Sequence, residues 1–164
     1  MLGLSTAEWQ APRTGFFPSL SATLNHILGV DVYYVGALHG GTDGDRAWAA
    51  FQPAVDLPSL AERQRASDDA LIAWLQAADD AALDRAVHMP RSGGRVQTDA
   101  AAHVLQHLFM HQTHHRGQVH TMLSGTAVAP PQLDEFLMPS EPHLRSAEMA
   151  GLGWDETAVY GPRL

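Results

Sequence analysis

The chain contains no cysteine. Disulfides, thiolate metal sites and a cysteine nucleophile are therefore excluded, and any metal must be held by His, Asp or Glu. Positive charge is scarce as well: 10 Lys plus Arg stand against 18 Asp plus Glu, for a formal net charge of −8. With no basic cluster visible, a phosphate backbone is a poor partner, and nucleic-acid binding is not expected. Nowhere do about 18 apolar residues run together, and the opening MLGLSTAEWQ lacks the basic start and apolar core of a leader. A soluble, cytoplasmic protein with no membrane partner is expected. Internal repeats and low-complexity linkers are absent too, so the 164 residues read as one domain, 1–164, long enough for a substantial core.

What is present is helical periodicity. Residues 1–18 read as an irregular lead-in broken by Pro12, Gly15 and Pro18, with Phe16 and Phe17 as core anchors. Ser19 is a plausible N-cap for a helix over 20–38, which carries apolar residues at helical spacing and is stopped by Gly40-Gly41. The segment 40–58 reads as a loop from which Trp48 and Phe51 pack down. A second helix begins near Ser59, with Leu60, Ala70, Leu71, Trp74 and Leu75 on its inner face, and ends or kinks at Asp79-Asp80, where a short helix runs on to Ala86. VHMPRSGGRVQT, 87–98, predicts a β-hairpin or extended excursion about Ser92-Gly93-Gly94. Asp99 is expected to cap a long helix ending at Gly125. Beyond it come Pro130-Pro131, the stretch LDEFLM, a helical turn or two over 141–150, and a surface tail with Trp154 and Tyr160.

The helix from Asp99 to Gly125 holds six of the ten histidines. Four of them, His103, His107, His111 and His115, stand four apart and form a drifting ridge along one side. An i, i+4 pair of imidazoles is the spacing by which a helix grips a transition metal, although no Glu follows either His as the metalloprotease motif demands. The plain alternative is a solvated ridge. It is weakest for His111 and His115, because Leu105, Leu108 and Val119 lie at related angles and draw that part of the ridge toward the core, where a bare imidazole is costly. A third ligand should come from a facing helix, and His26 is the best candidate because it sits mid-helix among apolar residues. Three imidazoles suit Zn²⁺, Ni²⁺ or Fe²⁺ and leave a position open for water or substrate. His114 flanks the pair and is a candidate catalytic group, the alternative being a hydrogen bond to a neighbouring element. Gln118 is a second such candidate, or a residue that orients a ligand.

The blocks FFPSLSATLNHILGVDVYY, HLFMHQTHHRGQVHTML and PPQLDEFL together resemble the DinB-like proteins, bacterial four-helix bundles also grouped with the YfiT-like proteins; the likeness spans about Leu4 to Leu137. It implies an all-α four-helix bundle, and a metal held by one His of the first matched helix and an i, i+4 pair on the later one, at His26, His111 and His115. It also implies a link to thiol S-transferases that use bacillithiol, mycothiol or glutathione. The family name records induction by DNA damage, a stress response, and is no sign of DNA binding. Relatives carry a further amphipathic helix of roughly 20 residues ahead of the segment matching LSTAEWQ, which is missing or short here. A bundle without it exposes an apolar groove. Either the start codon is misassigned, or the tail from Glu141 or a second subunit, in a homodimer, fills it.

The function expected is that of a metal-dependent enzyme acting on a small molecule, by transfer to or from a low-molecular-weight thiol such as glutathione, or by hydrolysis. The competing readings are a metal-binding or stress-response module without turnover, with His103, His107 and His120 extending the site, and a structural bundle with an incidental ridge. Tyr33, Tyr34 and Trp74 are candidates to line a pocket, and for each a core position is the alternative.

Overall fold

Helix α2, Leu20–His39, is the element against which the other long helices pack, and it carries the first of the candidate ligands. The computed structural model describes residues 3–40, 43–130 and 138–161. As the sequence predicts, the Ser19 hydroxyl starts α2 by accepting from the Ala22 amide at 3.0 Å. Gly40 ends it at a φ of 102°, a backbone state that favours glycine; Gly41 lies outside the described residues. The described residues are mostly helical, 66% helix and 8% strand, with a two-stranded antiparallel hairpin before the last long helix.

Around α2 stand α1 (Thr6–Gln10), α3 (Asp43–Ala50), α4 (Leu57–Ala77), α5 (Asp80–Asp84), strands β1 (Ala86–Arg91) and β2 (Arg95–Ala100), and α6 (Ala101–Leu123). Both α4 and α6 pack against α2. One apolar cluster gathers Leu20, Ile27 and Leu28 of α2 with Leu57, Leu60, Val119 and Met122, and a second gathers Leu38 with Leu71, Val87, Met89 and Leu108. Antiparallel β1 and β2 pair in register from Ala86↔Ala100 to Arg91↔Arg95, the hairpin expected over 87–98.

Several local expectations need correction. The lead-in is not wholly irregular: Ser5 and Glu8 form a capping box for α1, which buries Trp9 at 2% exposure. This five-residue helix is all that precedes α2 among the described residues. Phe16 is not a core anchor but 82% exposed, whereas Phe17 is half-buried. The segment read as a loop contains α3, because its glycines serve a close approach rather than a turn. A Cβ on Gly44 would lie 2.7 Å from the Tyr33 carbonyl, and one on Gly36 2.8 Å from the Gly44 amide. Trp48 is 54% exposed, while Phe51 does pack on the core, against Gly29.

Helix α4 starts two residues before the expected Ser59, because the Asp56 carboxylate accepts from the Ser59 amide at 2.9 Å and Pro58 fits the first turn. Leu75 is 37% exposed rather than inward. Trp74 is half-buried and donates its indole N–H to the Leu38 carbonyl at 2.9 Å, a structural role. The short helix after Asp79 ends at Asp84, because the chain enters β1. Asp99 does not cap α6. It pairs within β2 and accepts from Gln97, while the first α6 amide, that of Ala101, donates to the Arg85 carbonyl at 2.9 Å. The hairpin's own backbone thus supplies what a side-chain cap would have done.

The chain divides into two compact units, 1–129 and 130–164. LDEFLM lies outside the described residues save its last, Met138, and so does Pro131. In the second unit the expected turn becomes α7 (Ser146–Leu152), and the expected tail contains α8 (Glu156–Tyr160). Arg145, at 0% exposure, holds the unit together: its guanidinium pairs with Glu156, donates to the Met138 carbonyl and lies 4.1 Å from the centre of the Tyr160 ring. Buried so, it cannot lose one partner without leaving another group uncompensated.

A candidate metal centre between two helices

The facing sides of α2 and α6 bring His26, His111 and His115 together. One ring nitrogen from each lies within 4.8 Å of the others. His26 Nε2 and His111 Nε2 are 3.0 Å apart, and the three ring centroids are separated by 4.4 to 5.0 Å. His111 and His115 sit one turn apart on α6, so both point at one spot on α2. His115 is buried and the other two are half-buried. The Phe17 ring lies 4.3 Å from that of His26 and 5.6 Å from that of His115, covering the cluster with an apolar lid. That is its role in place of a plain core anchor.

The electrostatics favour neutral imidazoles. Burial lowers the His26 pKa, with His115 adding to the effect. His111 is pushed down to about 4, first by burial and then by the surrounding histidines His115, His26, His107 and His114. Uncharged rings with nitrogens turned inward are the form that ligates a metal. Two nitrogens at about 2.1 Å from a shared cation, subtending roughly 90° to 110°, stand about 3.0 to 3.4 Å apart, which the 3.0 Å separation of His26 and His111 matches. The three residues could hold a metal ion. The donor set fits a borderline divalent cation and not Mg²⁺ or Ca²⁺, which take oxygen ligands.

Around this cluster the candidates separate by role. The Gln118 side-chain oxygen accepts from His115 Nδ1 at 2.8 Å, which leaves Nε2 of His115 with its lone pair free to ligate. The same amide donates to His114 Nε2 at 3.1 Å. Gln118 is therefore a positioning residue, and exposed His114 stands at the rim. Gln118→Ala is expected to lower metal affinity about 10- to 100-fold, the usual cost of losing an outer-shell partner, without changing stoichiometry at saturating metal. Competition titration against a chromophoric chelator measures this, and an unchanged affinity would remove the role. By contrast His111 Nδ1 is buried with no hydrogen-bond partner among the described residues. His103 and His107 are exposed and lie outside the group of three, although the His107 ring meets that of His111 at 6.1 Å and that of Tyr34 at 5.2 Å. His120 likewise lies outside the group of three.

Two features went unread in the sequence. Asp31, in the middle of an apolar stretch of α2, is 1% exposed, and its Oδ2 accepts from Gln64 of α4 at 2.7 Å and from Gln112 of α6 at 2.8 Å, while Oδ1 has no partner among the described residues. Burial pushes its pKa up to about 6 against the lowering effect of the two amides, with Asp68 raising it further and Arg116 opposing. The available signal was a lone acidic residue inside ILGVDVYYV. The other feature is Arg91 of the hairpin, which donates to the Tyr34 hydroxyl at 3.0 Å and lies over the rings of Tyr33 and Tyr34. Both tyrosines line a cavity with it, as the sequence had left open.

Among the described residues no helix is long and apolar enough to cross a membrane. Residues 3–145 match the sequence model of the DinB family. The chain is also 29% identical over 116 residues, 71% of its own length and 70% of the relative's, to YizA, an uncharacterized protein of Bacillus subtilis (strain 168).

Proposed function

This chain belongs to the DinB family, and on that premise we propose that it is a metal-dependent enzyme acting on a small molecule, by transfer to or from a low-molecular-weight thiol. Hydrolysis is the alternative reaction of the same site. The observation that carries the reading is the convergence of His26, His111 and His115, three donors within 4.8 Å of one another. In this reading those three hold Zn²⁺, Ni²⁺ or Fe²⁺. A divalent ion at such a site lowers the pKa of a bound water or holds a thiol as thiolate near neutral pH.

The chain's own residues do the rest. Gln118 fixes the tautomer of His115 through the 2.8 Å bond to Nδ1. Phe17 covers the ring faces of His26 and His115 and keeps water off that side. His114, exposed and with Nε2 accepting from the Gln118 amide, presents its Nδ1–H as a hydrogen-bond donor to a substrate at the rim. Three protein nitrogens are fewer than any of these ions coordinates, and a site so built reads as catalytic in preference to structural.

Metal analysis of protein purified without a nickel column is the test. About one divalent ion per chain is expected, and its removal by a chelator should lower the melting temperature, since a ligand bound only by the folded state stabilises it by mass action. Protein that stays metal-free in the presence of saturating Zn²⁺, Ni²⁺ and Fe²⁺, with an unchanged melt, would sink the proposal.

A further inference from the structure

One cavity, of about 500 Å³, opens between α2, α3 and the hairpin and presents two opposite charges that do not meet. Val30, Tyr33 and Tyr34 come from α2, Asp45 and Trp48 from α3, and Arg91 from β1. Such a volume suits a small molecule. Arg91 is held in place by neutral contacts alone: its Nε donates to the Gln97 side chain at 3.1 Å, its NH2 to the Tyr34 hydroxyl, and its guanidinium lies 5.2 Å and 5.6 Å from the centres of the two tyrosine rings. Tyr33 in turn donates its hydroxyl to the Pro90 carbonyl at 2.9 Å, tying the hairpin to α2. Among the described residues neither Arg91 nor Asp45 has an ion-pair partner within 4.0 Å, although both border the same cavity. Both charges act on Tyr33, with opposite sign.

A half-buried guanidinium already oriented by its neighbours keeps donors for an oxyanion, which it binds well. A carboxylate across the cavity would repel a ligand bearing only negative charge, and Arg91 would repel one bearing only positive charge. A ligand with both satisfies each wall. Trp48, more than half exposed on this rim, and the edge of Tyr33, 6.1 Å from it between ring centres, offer apolar surface to the remainder of the molecule.

We propose that this cavity binds the zwitterionic α-amino-acid end of a small substrate, its carboxylate on Arg91 and its ammonium on Asp45. The link to the histidines rests on the function proposed above. His26 and Tyr34 are eight residues apart on one side of α2, about 12 Å along the helix. An extended three-residue peptide reaches about 10 Å. A ligand somewhat longer than that, with a free amino-acid end between Arg91 and Asp45, would extend to the histidines. Tyr34 and His107, whose rings are 5.2 Å apart, line the way between the two places.

The test is calorimetric titration of the full chain with S-methylglutathione, whose capped sulfur makes binding independent of any metal–sulfur bond. Saturable binding is expected, weakened about tenfold or more by Asp45→Asn and by Arg91→Gln, the range for a hydrogen bond to a charged group. N-acetylation of the probe should cost the wild type a similar factor and cost Asp45→Asn nothing. Since Arg91 also braces the hairpin, a melt of Arg91→Gln checks its fold, and Asp45→Asn carries the test if that variant is unstable. Free glutamate as a second probe separates a single amino acid, bound as tightly as the peptide, from a peptide ligand, bound more tightly; both arms must show the Asp45 dependence. No saturation at millimolar probe, or equal affinity for the acetylated and free forms in the wild type, overturns the proposal. Metal-stripped protein distinguishes the two readings: probe binding that depends on Asp45 in a chain that takes up no metal leaves the cavity assignment standing alone, and stoichiometric metal with no probe binding leaves only the metal centre.

Discussion

His111→Ala is expected to lower the affinity for a divalent ion by more than about a hundredfold, beyond the 10- to 100-fold cost of losing an outer-shell partner. His111 is the candidate ligand whose Nε2 approaches His26 to 3.0 Å and whose ring lies 4.4 Å from that of His115, so its removal leaves two imidazoles with no third donor among the described residues. The metal-free variant should fold at least as well as the metal-free wild type. Its lost imidazole has a buried Nδ1 with no partner, and a group of that kind costs free energy in the folded state. The combined outcome, binding lost and fold kept, is what separates a ligand from a structural histidine. Metal stoichiometry by mass spectrometry and a chemical melt on the stripped protein read both, and unchanged stoichiometry would show that His111 is not a ligand.

The second large effect concerns Asp31 and pH. Its carboxyl rises from 3.8 in a free side chain to about 6 in the fold, so the folded state holds its proton more tightly than the unfolded chain does. A contribution of that sign is fully present below about pH 4 and is lost as pH rises through about 6. Above that, the buried anion costs up to about 3 kcal/mol, since each pKa unit is worth about 1.4 kcal/mol. His26 and His111 have the opposite sign. Their pKa values are lowered, so what they contribute in metal-free protein is present above 6.5 and is lost as pH falls toward the value of about 4 reached by His111. The two trends oppose each other between about pH 4 and 6, and the metal-free wild type should show a shallow profile there.

Asp31→Asn removes one of them. An amide keeps an oxygen to accept from Gln64 and Gln112 while shedding the charge. The variant is expected to be more stable than the wild type at pH 8 by about 1 to 3 kcal/mol, with a steeper loss of stability from pH 6.5 down to 4. Urea unfolding at three pH values tests it. A variant less stable than the wild type at pH 8 would mean that the carboxylate earns its place through interactions stronger than the two amides supply. The carboxylate joins α2 to α4 through Gln64 and to α6 through Gln112, the residue next to His111, and so it bears on where that histidine stands.

Much of this was legible in the chain. The helix over 20–38, the β-hairpin and the helix ending near Gly125 all follow from periodicity and turn residues, because burying one helical face forces a 3.6-residue repeat on the sequence. The convergence of the three histidines was legible for the same reason: His111 and His115 share a face, and His26 is embedded in an apolar run. Helix α3 was not, because Gly44 looks like a turn residue until the backbone of α2 is seen 2.7 Å from where its Cβ would be. Nor was the start of α6, where a backbone carbonyl from Arg85, far from a local cap, receives the first amide.

The amino-acid order settled which residues are able to ligate a metal and which faces of the helices they occupy, since helical spacing is a local property of the chain. Tertiary packing alone decided what surrounds them. Gln118 turning toward His115, Phe17 closing over the rings, Asp31 buried between Gln64 and Gln112, and Arg91 and Asp45 facing one cavity all join residues whose side chains meet only after the helices and hairpin have packed, or whose burial only that packing sets. Hydrogen bonding, desolvation and charge pairing act over a few ångströms in space, and no spacing along the chain encodes that distance.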